Sequence, residues 1–192
     1  MTMFCYQCEQ TAKGTGCEVR GVCGKDPETA ALQDLLVHAA TGLSQYAHRA
    51  RGLGLADPEV DRAVVEALFV TVTNVSFDPG RIEEEIRRIA GLTARMREAY
   101  LRSCREAGQE PELPGGPATW QPAADREGLL VQARGIGIAN RLESRGADLT
   151  GLEELILYGL KGTAAYADHA LILGRSDPAI GHIPIVSCQI EG

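Results

Sequence analysis

Apolar residues recur at steps of three and four over most of this chain, the period of helices that bury one face. The clearest run is Ile82, Ile86, Ile89, Leu92, Met96, Ala99 and Cys104, which predicts a helix over 79–107 with solvated charges opposite. A second run, Leu32, Leu35, Leu36, Ala39, Leu43, Tyr46 and Ala50, predicts a helix over about 27–51, stopped by Gly52 and Gly54. A helix is predicted from 58 to about 75, apolar nearly all round through 63–72 and so buried; its segment 69–73 also carries the β-branched pattern of a strand. Helices over about 124–144 and 149–173 complete the set. Asp-Pro pairs at 26–27, 57–58, 78–79 and 177–178 signpost four helix starts, Asp as the cap and Pro at the first helical position. The expected class is all-α: a helical bundle preceded by an N-terminal cysteine-rich loop.

The chain also echoes itself. At a shift of 120 residues, Leu32, Leu35, Gly42, Tyr46, Ala47, Ala50, Leu53, Gly54, Asp57 and Pro58 match Leu152, Leu155, Gly162, Tyr166, Ala167, Ala170, Leu173, Gly174, Asp177 and Pro178. Matched Gly and Asp-Pro punctuation makes chance similarity between two amphipathic helices the weaker explanation. After Asp177-Pro178 the second copy is interrupted, because Pro184 cannot sit in a helix interior at acceptable cost. The predicted organisation is a loop at 1–25, a helical segment at 26–107 with the first repeat, a Pro/Gly-rich connection at 108–123, a second and incomplete repeat at 124–178, and an atypical tail at 179–192.

Residues 1–25 break the helical rhythm: Gly14, Gly16, Gly21 and Gly24 and a few apolar side chains leave little to form a core. They carry Cys5, Cys8, Cys17 and Cys23 in the spacing C-x2-C-x8-C-x5-C. No secretory pattern opens the chain and no apolar window is long enough to span a membrane, so the expected location is the cytoplasm. Disulfides are rare there, and four crowded cysteines read as metal ligands. A C-x2-C pair chelates neighbouring corners of one cluster and two further thiolates complete a cubane, so a [4Fe-4S] cluster is the first reading. A four-thiolate zinc site is the alternative, disfavoured because there is no second C-x2-C pair. The glycines allow positive backbone angles that aim amides at cluster sulfides, and Lys13, Arg20 and Lys25 add positive charge.

The rest of the chain offers less chemistry. A net charge of -7 disfavours nucleic acid and anionic membranes as partners. Cys104 falls on an apolar helix face and reads as a core residue, and Cys188 has no role. Gly135-Ile-Gly-Ile-Ala-Asn lacks the third glycine of a dinucleotide fingerprint and reads as a helix segment. His38, His48, His169 and His182 stand apart, with His48 and His169 near corresponding ends of the echoed helices.

The motif Phe4-Cys-Tyr-Gln-Cys-Glu-Gln-Thr-Ala, followed by Gly16-Cys and Gly21-Val-Cys-Gly-Lys, resembles the N-terminus of the hybrid-cluster protein family, also called prismane proteins or hydroxylamine reductases. The resemblance continues through Asp26-Pro-Glu-Thr-Ala-Ala-Leu-Gln-Asp-Leu-Leu, Glu66-Ala-Leu-Phe and Tyr158-Gly-Leu-Lys-Gly-Thr-Ala-Ala-Tyr-Ala-Asp-His-Ala, to about Pro178. It implies a [4Fe-4S] cluster on Cys5, Cys8, Cys17 and Cys23 that relays electrons from a redox partner protein. In a full-length relative they pass to a hybrid [4Fe-2O-2S] cluster that reduces hydroxylamine or nitric oxide. The ligands of the hybrid cluster lie in later domains of the family, so the resemblance implies contact with those domains and no competent reductase in this chain alone. The other class to weigh is a helical interaction module whose iron–sulfur or zinc site is purely structural.

Overall fold

The structure, a computed structural model, describes residues 3–8, 12–175 and 177. Among these the fold is all-α, with six helices: α1 Pro27–Gly52, α2 Pro58–Val70, α3 Pro79–Ala107, α4 Arg126–Ile136, α5 Ile138–Arg145 and α6 Ala147–Ile172. None is long and apolar enough to cross a membrane.

Helix starts follow the Asp-Pro signposts. Asp26 accepts from the Thr29 N–H at 2.7 Å, Asp57 from the Glu59 N–H at 2.9 Å, and Asp78 from the Gly80 N–H at 2.9 Å. Each cap satisfies an amide that the first turn leaves unpaired. Asp125 caps α4 in the same way, on the Gly128 N–H at 2.8 Å, without a following proline to advertise it. The fourth signpost and the tail at 179–192, with His182 and Cys188, fall outside the described residues except for Asp177.

α1 is the hub, packing against α2, α3, α4 and the connection between α3 and α4. Its Leu32, Leu35, Leu36, Leu43 and Tyr46 meet Ile82, Ile86 and Ile89 of α3 in one core, all at most 1% exposed. Cys104 is part of that core, as its place on the helix face predicts. The charged side of α3 is less solvated than its pattern suggests. Arg88 reaches Glu66 of α2 at 2.8 Å, and Arg95 reaches Asp57 and Glu59 at 2.9 and 2.8 Å. Part-exposed pairs of this kind contribute at most about 1 kcal/mol each and mainly fix the register of the two helices.

The structure corrects two boundaries and adds detail to the connection. α2 ends at Val70 and not near Val75, because the buried Thr71 hydroxyl turns back to the Leu68 carbonyl at 2.7 Å and competes with the next helical bond; residues 69–73 do not form a strand. The helix expected over 124–144 is broken into α4 and α5 at Gly137, whose extended backbone (φ -60°, ψ 160°) cannot continue α4. The connection at 108–123 contains a 3-10 turn, Gly116–Thr119, laid against α1. There the Pro117 carbonyl presses on Gly42 so closely that a Cβ on Gly42 would lie 2.3 Å from its oxygen.

The internal echo is structural. α1 and α6 have 26 residues each and their bounds differ by 120 at both ends. They end alike: Leu55 N–H bonds the Ala50 carbonyl past left-handed Gly54 (φ 81°), and Arg175 N–H bonds the Ala170 carbonyl past Gly174 (φ 69°). Burial separates the copies. Leu32, Leu35 and Tyr46 are inside, whereas Leu152, Leu155 and Tyr166 are 60%, 66% and 83% exposed.

Candidate metal centre

Three local devices shape the cysteine loop. The first is a short antiparallel pairing: Met3 N–H donates to the Glu18 carbonyl at 3.1 Å, Cys5 N–H to the Cys17 carbonyl at 3.1 Å, and Cys17 N–H to the Cys5 carbonyl at 2.7 Å. A reciprocal pair of this kind sets two residues directly opposite, with Cα atoms about 5.5 Å apart. The second is Gly16, which lies under the Phe4 ring; a Cβ there would come within 2.6 Å of the ring, so Cys17 is reached only through a residue without a side chain. The third is the turn at 21–25, where Gly21 N–H bonds the Lys25 carbonyl at 2.8 Å and Gly24 takes φ 97° to present Cys23.

The loop has a small core of its own, which its composition did not reveal: Met3, Cys17 and Ala30 are buried together, with Cys5 against them. Cys17 is buried, Cys5, Cys8 and Cys23 are half-buried, and none of the four is in a disulfide. A reduced four-thiol set on a glycine-shaped loop fits a four-thiolate centre in donor chemistry and number. The described residues bring Cys5 and Cys17 into register and do not gather three or more His, Cys, Asp or Glu side chains into one metal-holding group. The expected cations sit differently. Lys13 and Arg20 are exposed, and Lys25 is buried with its ammonium 5.9 Å from the centre of the Phe77 ring.

What local sequence did not reveal is how the loop is held to the bundle. Tyr6 and Gln7, the two residues between Cys5 and Cys8, both reach α6. Tyr6 is hydrogen-bonded to Glu154; burial, then the Glu154 charge, raises its phenol well above the ordinary tyrosine range. With its amide turned so that both groups are satisfied, Gln7 accepts from Lys161 Nζ at 2.8 Å and donates to the Thr71 carbonyl at 3.0 Å, at the end of α2. Lys161 is only 6% exposed, and burial lowers its ammonium to about 8. Asp34 of α1, opposite it, is pushed up to about 6 by burial, against the pull of Lys161. Asp34 and Glu154 are repeat mates, so each copy contributes one acid to this cluster.

Two hollows flank it. A cavity of about 690 Å³ is lined by Cys5, Tyr6, Asp34, His38, Glu154 and Lys161 among others, and one of about 480 Å³ by Cys8 and the 72–74 turn. Gln7 and Lys161 line both. His38 is held neutral, burial lowering it to about 4, and stacks edge-on with Trp120 at 5.8 Å between ring centres. Arg141 of α5 pairs with Glu154, and Arg145 with Glu153 at 2.7 Å, pinning the start of α6. His169 packs edge-on against Phe69 of α2. Gly135 lies in the last turn of α4, away from any phosphate-binding arrangement of strand and helix.

These features define an all-α protein whose N-terminal four-cysteine loop is fastened across two repeated helices. The chain belongs to the Prismane/CO dehydrogenase family, whose profile matches residues 3–185. It is 56% identical over 178 residues to the hydroxylamine reductase of Rhodospirillum rubrum, covering 93% of this chain and 32% of that one. Similarity to the hydroxylamine reductases of Methanocella arvoryzae (48% over 178 residues; 93% and 32%) and Geobacter metallireducens (47% over 182 residues; 94% and 33%) has the same extent. The chain thus spans about a third of the length of these curated relatives.

Proposed function

We propose that Cys5, Cys8, Cys17 and Cys23 hold a [4Fe-4S] cluster and that this region is the electron-entry segment of a hydroxylamine reductase. The observation that carries the reading is the C-x2-C-x8-C-x5-C set of reduced cysteines on a loop shaped by glycines, in a chain related to proteins named hydroxylamine reductase. Such a cluster supplies a one-electron store.

The chain's own residues do the rest. The Cys5–Cys17 backbone clamp holds two thiols in register, and the turn at Gly24 shapes the backbone that carries Cys23. Half-burial of Cys5, Cys8 and Cys23 limits water while leaving an approach for a redox partner protein in the cytoplasm. Reduction of hydroxylamine or nitric oxide belongs, in this reading, to a hybrid [4Fe-2O-2S] cluster in the part of the longer relatives that this chain does not span. The exposed apolar side of α6 is where later segments of such a relative would rest.

Anaerobic reconstitution with iron and sulfide, followed by iron and acid-labile sulfide analysis and EPR of the dithionite-reduced chain, tests the assignment. The expected result is four iron and four sulfide per chain, as a cubane requires, and a reduced-state signal that Cys8→Ala abolishes. Zinc without labile sulfide, or an unchanged Cys8→Ala spectrum, refutes it. A cluster that assembles and cannot be reduced points to the structural module.

A further inference from the structure

We infer that Lys161 of α6, gripping Gln7 inside the Cys5–Cys8 turn, is the positioning residue and buried counter-charge of the thiolate loop, with Glu154 holding the neighbouring Tyr6.

Glu154 and Lys161 are seven residues apart, two helical turns, so they project from one side of α6 at a rise of about 10 Å. The two side chains they hold, Tyr6 and Gln7, are consecutive residues of the turn that bears Cys5 and Cys8. Gln7 is held from two directions, by Lys161 and by the carbonyl of fully buried Thr71, so the turn is fastened to the seam between α2 and α6. Three elements distant in sequence meet at one glutamine.

Lys161 is expensive where it stands. Its neighbours on α6, Leu157, Leu160 and Ala164, are buried apolar residues, and an ammonium taken out of water costs several kcal/mol unless anions and acceptors face it. An apolar residue would fill the position at no such cost. The groups facing Lys161 are the Gln7 amide oxygen, the Asp34 and Glu154 carboxylates, and Cys5; Lys25 and Arg141 are the other cations of the cluster. Lys161 lines the hollow beside Cys5 and the hollow beside Cys8, and so stands behind both cysteines of the pair. Four thiolates around a cubane bring net negative charge to that place, and a fixed cation favours the more negative, reduced state. The inference rests on the cluster assignment for its electrostatic half, and on the contacts alone for its positioning half.

Two measurements separate these halves. In the metal-free chain under reductant, hydrogen exchange at residues 3–8 is expected to speed up at least tenfold in Gln7→Leu and in Lys161→Met, with helix content unchanged. Unaltered exchange in both variants overturns the positioning role, whether or not iron binds. In the reconstituted chain, a dithionite titration followed by EPR reads the reduction equilibrium. Lys161→Met is expected to disfavour reduction about tenfold, 59 mV for a one-electron couple, and Lys161→Arg to recover most of it. Equal potentials in wild type and Lys161→Met overturn the counter-charge. Should Lys161→Met not assemble a cluster, Lys161→Gln reads the same loss of charge with the hydrogen bond kept. A chain in which no variant or wild type takes up iron refutes the cluster assignment instead, and leaves the exchange result standing.

Discussion

Gly42 and Gly162 occupy the same place in the two repeats and should respond in opposite directions to the same substitution. An Ala in place of Gly in a helix interior gains about 1 kcal/mol when nothing else changes. At Gly162 the added Cβ meets no atom of the described residues within 4 Å beyond its own chain neighbours and helix backbone, so Gly162→Ala is expected to stabilise by about that amount. At Gly42 the Cβ would lie 2.3 Å from the Pro117 oxygen, 2.7 Å from its carbonyl carbon and 3.1 Å from the Ala118 nitrogen. These are backbone atoms of a turn that cannot rotate away as a flexible side chain would. Overpacking of this kind costs about 1–3 kcal/mol, and here the upper half of that range applies because the whole 116–119 turn must lift from α1. After the propensity gain the net loss is about 1–2 kcal/mol, which separates the variants by about 2–3 kcal/mol. With a urea m-value of about 2 kcal/mol/M for a chain of this size, their midpoints should differ by about 1–1.5 M at equal m. Urea unfolding of the metal-free chain followed by circular dichroism provides the measurement. A Gly42→Ala midpoint equal to or above that of Gly162→Ala would refute the reasoning that the connection, and not the helix, dictates glycine at 42.

The other expectations follow the same contrasts of burial. Leu35→Ala, at 0% exposure, should cost about 2–5 kcal/mol, whereas its mate Leu155→Ala, at 66%, should stay within about 0.5 kcal/mol; comparable losses at both sites in denaturation would show that the α6 side is covered in solution. Asp34 titrates near 6 when folded and near 3.9 unfolded, so between those values the folded chain keeps a proton that the unfolded chain releases, and stability falls as pH rises through the window. Asp34→Asn should therefore gain on wild type by up to about 3 kcal/mol from pH 4 to pH 6. His38, lowered to about 4, acts with the opposite sign over 4 to 6.5 and cancels in the comparison; a flat difference between the two proteins in thermal unfolding would count against the buried carboxylate. Removing the α1 cap with Asp26→Ala should cost about 1 kcal/mol, checked by the same urea assay, because Thr29 N–H loses its acceptor just where the cysteine loop joins the bundle.

The helical class, three Asp caps, the buried faces of α1 and α3 and the repeat register were all legible in residue order, since each depends on neighbours three or four positions apart or on a cap adjoining its helix. The four-cysteine spacing was legible for the same reason, since it is a matter of residues close in sequence. Boundaries set by competition were not: Thr71 ends α2 through a hydroxyl in a buried environment, and Gly137 divides α4 from α5 where a continuous helix was expected. Nor did residue order distinguish the two copies of the repeat. Leu32 and Leu152 are the same residue in the same pattern, and one is inside and the other outside because α3 and the 116–119 turn lie over α1 and nothing in the described residues lies over that side of α6. Lys161 is a buried charge because Gln7, some 150 residues earlier, is brought against it when α2 and α6 pack, which no local pattern announces. Patterns within a turn or two fix which surfaces exist, and only packing between distant segments decides which of them meet.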